Sequence, residues 1–306
     1  MTASGGIGSL VPPLRLRAAV RRGRKGWKRL AAHGSALCLR SLNLLSQAPV
    51  TGSAPVVVSM TTHGERIHTV SIALESIASG RVRPRRLLLW LDSEALMADR
   101  PAAVRRLESR GLEVLLTSNY GPHTKYYPYV AGTDHHTLPL VTADDDIIYP
   151  RSWLDLLIRA HHADPEAVHG HWVNVMQVRA SRVVPYSDWR RARDTGAAGG
   201  NFALGVSGVI YPPAMLEELR RQGDGFLAAA PGADDIWLHR TALRAGIPVR
   251  QVRTAPRHFP IIPGSQESSL MAENVGNRRN DFLITGLYAA DDILAIATNG
   301  DHQLPK

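Results

Sequence analysis

Three consecutive aspartates, Asp144, Asp145 and Asp146, follow the apolar run Leu138 to Val141 and precede Ile147, Ile148, Tyr149 and Pro150. Carboxylates this crowded repel one another unless a cation or a set of hydrogen-bond donors compensates them. In an extended chain alternate residues project to the same side, so Asp144 and Asp146 are expected to grip one divalent metal. Mg2+ and Mn2+ accept such oxygen ligands, keep several waters and commonly complete their shells with phosphate oxygens of a substrate. The triplet therefore points towards phosphate chemistry, the alternative being a solvated acidic turn at a strand end. A second acidic pair, Asp234 and Asp235, opens a helical pattern. There carboxylates serve either as caps favoured by the helix dipole or, facing an acceptor hydroxyl, as a general base. The small residues of Gly205 to Val209 lie upstream and allow backbone to approach a ligand closely.

Other candidates are single residues. Lys125 ends the loop Tyr120 to Lys125, placed to meet an anion or simply exposed on a turn. Asp92 follows an apolar run, where it could accept hydrogen bonds from a base or ribose or cap the next helix. None of the 13 histidines shows zinc-site spacing, and most are expected on the surface. His258, in Arg257-His258-Phe259-Pro260, is the candidate third metal ligand. There is no GxxxxGK[ST] loop, and no GxGxxG follows the first strand, which argues against P-loop and dinucleotide enzymes.

These groups need a frame. Val56 to Met60 is a β-branched run, Ile67 to Ala78 has helical spacing, and Arg86 to Leu91 is a second strand. A helix over Ala102 to Arg110, closed by Gly111, precedes a third strand, Leu112 to Leu116. Leu138 to Val141 leads into the aspartates, and Trp153 to His161 returns to a helical period. Helices are also expected over Ala214 to Arg221 and Asp234 to Ala245, with strands at Val168 to Trp172 and Val249 to Val252. This alternation predicts an α/β sheet of largely parallel strands, whose ligands bind outside the carboxyl ends of the strands. Thr61 to Arg66, Asp92, Asn119 to Lys125 and the aspartate triplet all fall on that rim.

The net charge of +9 is confined to one region. Residues 1–50 hold no acid but carry Arg15, Arg17, Arg21, Arg22, Arg24, Lys25, Lys28, Arg29 and Arg40. Without these nine, the 36 basic residues fall to the number of acidic ones, 27. The basicity belongs to an arm, so no nucleic-acid partner is expected for the neutral remainder. Residues 1–13 read as disordered. Residues 14–45 mix basic residues with Val20, Trp27, Leu30, Leu37, Leu42 and Leu45 as a Gly-interrupted amphipathic helix. Such a helix could dock on an anionic membrane surface, or the segment is a solvated basic tail. No apolar run approaches the roughly 18 residues of a membrane span. The single cysteine, Cys38, suits a reducing compartment, so a cytoplasmic location is expected, with peripheral attachment to the plasma membrane's inner face as the alternative.

Taken in order, Val56 to Thr62, Leu89 to Asp92, Gly121 to Lys125, Ala143 to Pro150, Gly205 to Pro212 and Ala233 to Leu238 resemble the GT-A glycosyltransferases, specifically bacterial family-2-like enzymes. The resemblance runs over residues 55–260 and rests on a DxD after a strand and a later Gly-Ala-Asp-Asp-Ile-Trp-Leu. It implies a Rossmann-like, mixed, mostly parallel sheet flanked by helices in one catalytic domain, residues 55–290, after an arm and linker, 1–54, and before a tail, 291–306. It also implies a nucleotide-diphospho-sugar donor bridged by Mn2+ or Mg2+ to Asp144 and Asp146, with Asp145 near the sugar or ribose. Thr61 and Asp92 would seat the nucleotide, and Lys125 the ribose or phosphates. Asp235, with Asp234 as the competing choice, would deprotonate the hydroxyl of a glycan or lipid-linked acceptor in an inverting displacement. Assembly of a cell-surface or capsular polysaccharide is the expected role. The chain departs from the family in having Ser59-Met60-Thr61-Thr62 where many relatives carry a Pro-Thr-Tyr-Asn type of turn. Two rival readings use the same features: a metal-dependent phosphoesterase acting without an acceptor, and a nucleic-acid-binding protein led by the basic arm.

Overall fold

The computed structural model describes residues 14–265 and 279–298. The strands are β1 (Ala54–Thr62), β2 (Pro84–Leu91), β3 (Leu112–Leu116), β4 (Leu140–Ala143), β5 (Val168–Gly170), β6 (Val173–Val175), β7 (Val178–Arg179), β8 (Arg182–Val183), β9 (Arg190–Arg191), β10 (Asn201–Ala203), β11 (Val209–Tyr211) and β12 (Val249–Gln251). The helices are α1 (Leu14–Leu45), α2 (Val70–Ala78), α3 (Glu94–Ala98), α4 (Ala102–Glu108), α5 (Tyr127–Ala131), α6 (Trp153–Ala163), α7 (Pro213–Gln222), α8 (Phe226–Ala229), α9 (Asp234–Arg244), α10 (Arg279–Leu287) and α11 (Ala290–Thr298).

Among the described residues the main sheet has seven strands in the order β12-β5-β11-β4-β1-β2-β3. Only β11 runs antiparallel to its neighbours β4 and β5, so the sheet is mostly parallel, as the alternating pattern predicts, and mixed, as the resemblance implies. Helices cover both of its faces, and the central strands accordingly carry buried apolar residues on both sides rather than alternating apolar with polar. In β2, Leu87, Leu89 and Leu91 enter the core under α2, α4 and α6, whereas Leu88 and Trp90 enter the core under α7 and α9. β1 divides in the same way, with Val56, Val58 and Met60 on one side and Val57 on the other.

Register brings the functional segments to one edge. Thr62 pairs with Leu91 and Met60 with Ala143, so β1, β2 and β4 end together. Val209 pairs with Thr142, so the turn before the antiparallel β11 lies at that same edge.

The helix expected over residues 14–45 is present as α1, but it is not a free arm. α1 is continuous through Gly26 and Gly34, and its C-terminal half is docked on the sheet's helical layer. Ala32, Ala36 and Asn43 are buried there. Asn43 Nδ2 donates to Glu75 Oε1 and to the Ala103 carbonyl, both at 3.0 Å, while Arg106 Nε donates to Asn43 Oδ1 at 2.9 Å. Glu75 is itself buried against the Arg110 guanidinium. Val50, in the expected linker, is wholly buried and its N–H donates to the Arg110 carbonyl. At the other end, α11 lies in the expected tail yet is tied to α9 by Arg244, whose Nε and Nη2 donate to Asp292 at 2.8 Å. Residues 1–13 and 299–306, expected as a disordered start and the end of the tail, lie outside the described residues. Among the described residues no helix is long and apolar enough to cross a membrane.

Candidate active site

β4 stops at Ala143, and the aspartate triplet is a turn rather than an extension of the strand. The alternation that would aim Asp144 and Asp146 at one cation is therefore lost. Each finds its own partner. Lys125 Nζ donates to Asp144 Oδ1 at 2.9 Å. Arg66 spans the other two, donating from Nη1 to Asp145 Oδ1 at 2.6 Å and from Nη2 to Asp146 Oδ2 at 3.0 Å. Thr62 Oγ1 donates to the second Asp145 oxygen at 2.6 Å. The Asp144 N–H donates to the Tyr149 hydroxyl at 2.8 Å, which pins the start of the turn.

Lys125 joins the triplet to the second acidic pair. Its ammonium lies 3.1 Å from Asp234 Oδ2 as well as 2.9 Å from Asp144, with its side chain 11% exposed. Burial lowers its proton affinity, but the charges of Asp144, Asp234 and Asp235 outweigh that and hold it well above the ordinary lysine value. Asp235 is anchored differently: its Oδ1 accepts the Gly205 N–H at 3.0 Å. Burial, followed by the neighbouring Asp234 charge, pushes the Asp235 carboxyl up, against the pull of Lys125 and the Gly205 N–H. Gly205 occupies the centre of this arrangement. A Cβ at that position would stand 3.1 Å from Asp235 Oδ1, 3.3 Å from Lys125 Nζ and 3.9 Å from Asp234 Oδ2, so glycine keeps the space between the three charged groups open.

The triplet is also strained electrostatically. Burial and then the Asp144 charge raise Asp146 from 3.8 to about 6, with Arg66 opposing. Burial likewise raises Asp145, while Arg66 and Thr62 act in the other direction. Five carboxylates, Asp144, Asp145, Asp146, Asp234 and Asp235, thus share two internal cations, Arg66 and Lys125. That surplus of buried negative charge, and its all-oxygen chemistry, fit a hard divalent cation such as Mn2+ or Mg2+. With the extended alternation gone, Asp144, bonded by Lys125, and Asp146, bonded by Arg66, would have to release those partners to hold it. Among the described residues no three metal-binding side chains converge, so its remaining ligands would be water and substrate oxygens.

The remaining expected residues divide. Asp92 is half-buried one position beyond Leu91, hence on the same edge, but Ser93 rather than Asp92 caps α3, its Oγ accepting the Leu96 N–H at 3.4 Å. Thr61 reaches the backbone of the neighbouring strand, donating to the Trp90 carbonyl at 3.2 Å. Thr62, on the opposite face of β1, is the threonine that meets the triplet. The chain around His258 does approach the aspartates: the Ile148 N–H donates to the Pro260 carbonyl at 2.8 Å, and the Ile262 N–H to the Asp146 carbonyl at 2.7 Å. His258 itself is exposed, edge-on to Trp172, with Nδ1 bonded to the Phe259 carbonyl, and it belongs to no cluster of three metal-binding side chains among the described residues.

The expectation of surface histidines holds for only half of the twelve described. His123, His136, His161, His169, His171 and His239 are buried. Several span the core as hydrogen-bonding struts, such as His123 between the Tyr126 hydroxyl and the Ala230 carbonyl and His239 between the Tyr288 hydroxyl and the Gly199 carbonyl. Arg66 is the site residue that sequence reasoning left unassigned. Its signal was its place in the segment Thr61 to Arg66, just after β1; only the short 3-10 turn Gly64–His68, entered through Gly64 at φ +50°, swings it back onto the aspartates.

No protein-family profile matches the sequence, and no curated protein does. Solved structures align with it more distantly. CMP:2-keto-3-deoxy-manno-octonic acid synthetase complexed with CTP aligns with a TM-score of 0.41 and 10% identity, over 74% of this chain and 98% of that one. S. aureus TarS 1-349 aligns with a TM-score of 0.43 and 13% identity, over 67% of this chain and 59% of that one. Similarity at this level carries no statement about activity.

Proposed function

We propose that this protein is a metal-dependent glycosyltransferase that moves a sugar from a nucleotide-diphospho-sugar to an acceptor hydroxyl. One observation carries the reading: Lys125 lies between Asp144 of the triplet and Asp234 of the helix that also bears Asp235, at the carboxyl edge of a mostly parallel sheet. Such an edge is where α/β sheets bind their ligands. A pyrophosphate carries the charge to draw Lys125 and Arg66 away from their carboxylates, and both cations can then offset charge growing on the leaving diphosphate. A divalent cation held by Asp144 and Asp146 would supply further stabilisation of that leaving group.

Asp234 already faces Lys125, which leaves Asp235 as the base. Its carboxyl is anchored by the Gly205 N–H and its raised proton affinity suits it to accept a proton. In the proposed step the acceptor oxygen bonds to the anomeric carbon, the bond from that carbon to the diphosphate oxygen breaks with its electron pair, and the hydroxyl proton passes to Asp235. Attack opposite the leaving group inverts the anomeric centre. The acceptor is a glycan or lipid-linked hydroxyl of a cell-surface polysaccharide.

The experiment is a thermal-shift screen of the full chain with UDP-, GDP-, dTDP- and CMP-sugars, with and without Mn2+, beside Asp146→Ala. A ligand that binds only the native state stabilises it by about 2.7 kcal/mol at a hundredfold excess over Kd, and Tm rises accordingly. The expected result is a rise that needs one nucleotide class and metal and is lost in the variant. No rise with any donor, in a folded protein, rejects the donor site. Metal-dependent hydrolysis of a donor that no acceptor redirects would favour the phosphoesterase.

A further inference from the structure

Among the described side chains of α1, one face is used by the fold and the opposite face is exposed. Ala32, Ala36 and Asn43 are buried, with Leu39 half-buried against the core, so this side is docked. On the other side Trp27, Leu30 and Leu37 are 75%, 70% and 68% exposed, and Leu44 and Leu45 are also exposed. Leu30, Leu37 and Leu44 recur every seven residues, which drifts only about 20° per step around a helix, so they form one stripe. Trp27, three residues before Leu30, extends it. Exposed large apolar side chains aligned along one helix mark an interaction surface more strongly than scattered ones.

Charge identifies what the stripe meets. The helix Leu14–Leu45 carries all nine of the basic residues that make up the protein's net charge of +9, and no acid. Arg29 and Arg40 are exposed beside the stripe. A second copy of this chain would bring an equally basic helix against this one, and the like charges would oppose pairing. An anionic lipid surface complements the same charge and accepts the apolar side chains together. We infer that α1 is an interfacial helix that lies on an anionic membrane through Trp27, Leu30, Leu37 and Leu44. Because its C-terminal half is hydrogen-bonded into the domain through Asn43, binding would hold the whole catalytic body at the lipid surface. The inference is independent of the donor chemistry proposed above.

Flotation of the full chain with vesicles tests it, using pure phosphatidylcholine and phosphatidylcholine with about one-third phosphatidylglycerol. Each basic residue near an anionic surface contributes on the order of 1 kcal/mol, about fivefold in binding. Binding to anionic vesicles is therefore expected at least tenfold tighter than to neutral ones, and weakened by high salt. Leu30→Glu/Leu37→Glu changes two exposed side chains and is expected to leave the fold intact by circular dichroism while reducing binding at least tenfold. Phe282→Ser, at an exposed apolar residue of α10, is expected to leave binding unchanged. Equal binding to both vesicles, binding to neither, or binding that Leu30→Glu/Leu37→Glu does not weaken overturns the inference. So does a dimer in light scattering that this variant dissolves while vesicle binding is absent, which would assign the stripe to a second copy.

Discussion

Replacing Lys125 by methionine keeps the length of the side chain and removes the one cation shared by Asp144 and Asp234. Its Nζ lies 2.9 Å from the first carboxylate and 3.1 Å from the second, and the side chain is 11% exposed. With an effective dielectric of about 20, each contact at roughly 3 Å is worth about 5 kcal/mol before desolvation. Desolvation of the ammonium offsets much of that, and loss of one partner from a buried pair typically costs about 3–5 kcal/mol net. The loss should also depend on pH. Lys125 titrates well above neutrality in the fold, so its own contribution is constant from pH 5 to 8. Protonating a stranded carboxylate removes its uncompensated charge, so by linkage the deficit should be smaller in acid than in base. Urea denaturation followed by circular dichroism should therefore show a deficit of about 3–5 kcal/mol at pH 8 that shrinks at pH 5. Adding Asp144→Asn to Lys125→Met should restore part of the loss, because one of the stranded charges is gone. A deficit under about 1 kcal/mol at pH 8, or one of equal size at both pH values, would refute a charge-compensating role for Lys125.

Asp146→Asn should act in the opposite sense. Raising this carboxyl from 3.8 to about 6 in the fold corresponds to about 3 kcal/mol, a penalty absent below the unfolded value and complete above the folded one. In EDTA, the stability of the variant relative to the parent should accordingly rise by up to about 3 kcal/mol between pH 4 and pH 8; a difference that stays flat would sink the argument. Gly208→Ala places a Cβ 2.5 Å from Trp153 Nε1 at a backbone φ of +92°. Trp153 is buried and donates to the Ser207 carbonyl at 2.9 Å. Overpacking and the strained dihedral together should cost about 3 kcal/mol or more in the same denaturation assay, and a loss within 0.5 kcal/mol, the range of ordinary surface changes, would contradict it.

Periodicity and end chemistry were enough to place six strands of the main sheet, but not the three-residue antiparallel β11, whose glycine-punctuated segment carries no strand-length pattern. The β-branched and leucine runs of β1 and β2, the Gly111 stop before β3 and the helical spacing of α6 and α9 are local properties, and local steric and hydrophobic preferences act on them without regard to the rest of the chain. The edge that gathers Thr61 to Arg66, Asp92, Lys125 and the aspartates followed from the same pattern, because parallel strands joined by helices must all end on one side. Pairing within that edge was another matter. Sequence order is silent on whether a chain leaving a strand stays extended, and the turn at Asp144 to Asp146 decided that three neighbouring carboxylates would face two different cations. The choice of Thr62 over Thr61 depended on which face of the sheet the turn after β4 lies over, and the turn after Gly64 returned Arg66 to the triplet. His258 was drawn aside to Trp172 by packing between segments distant in sequence. For the arm, its lack of acids and its apolar spacing were already legible in the sequence. Which of its faces the fold would consume, leaving Trp27, Leu30 and Leu37 outward, depended on Asn43 meeting Glu75 and Ala103, partners 32 and 60 residues away that only the tertiary structure brings together.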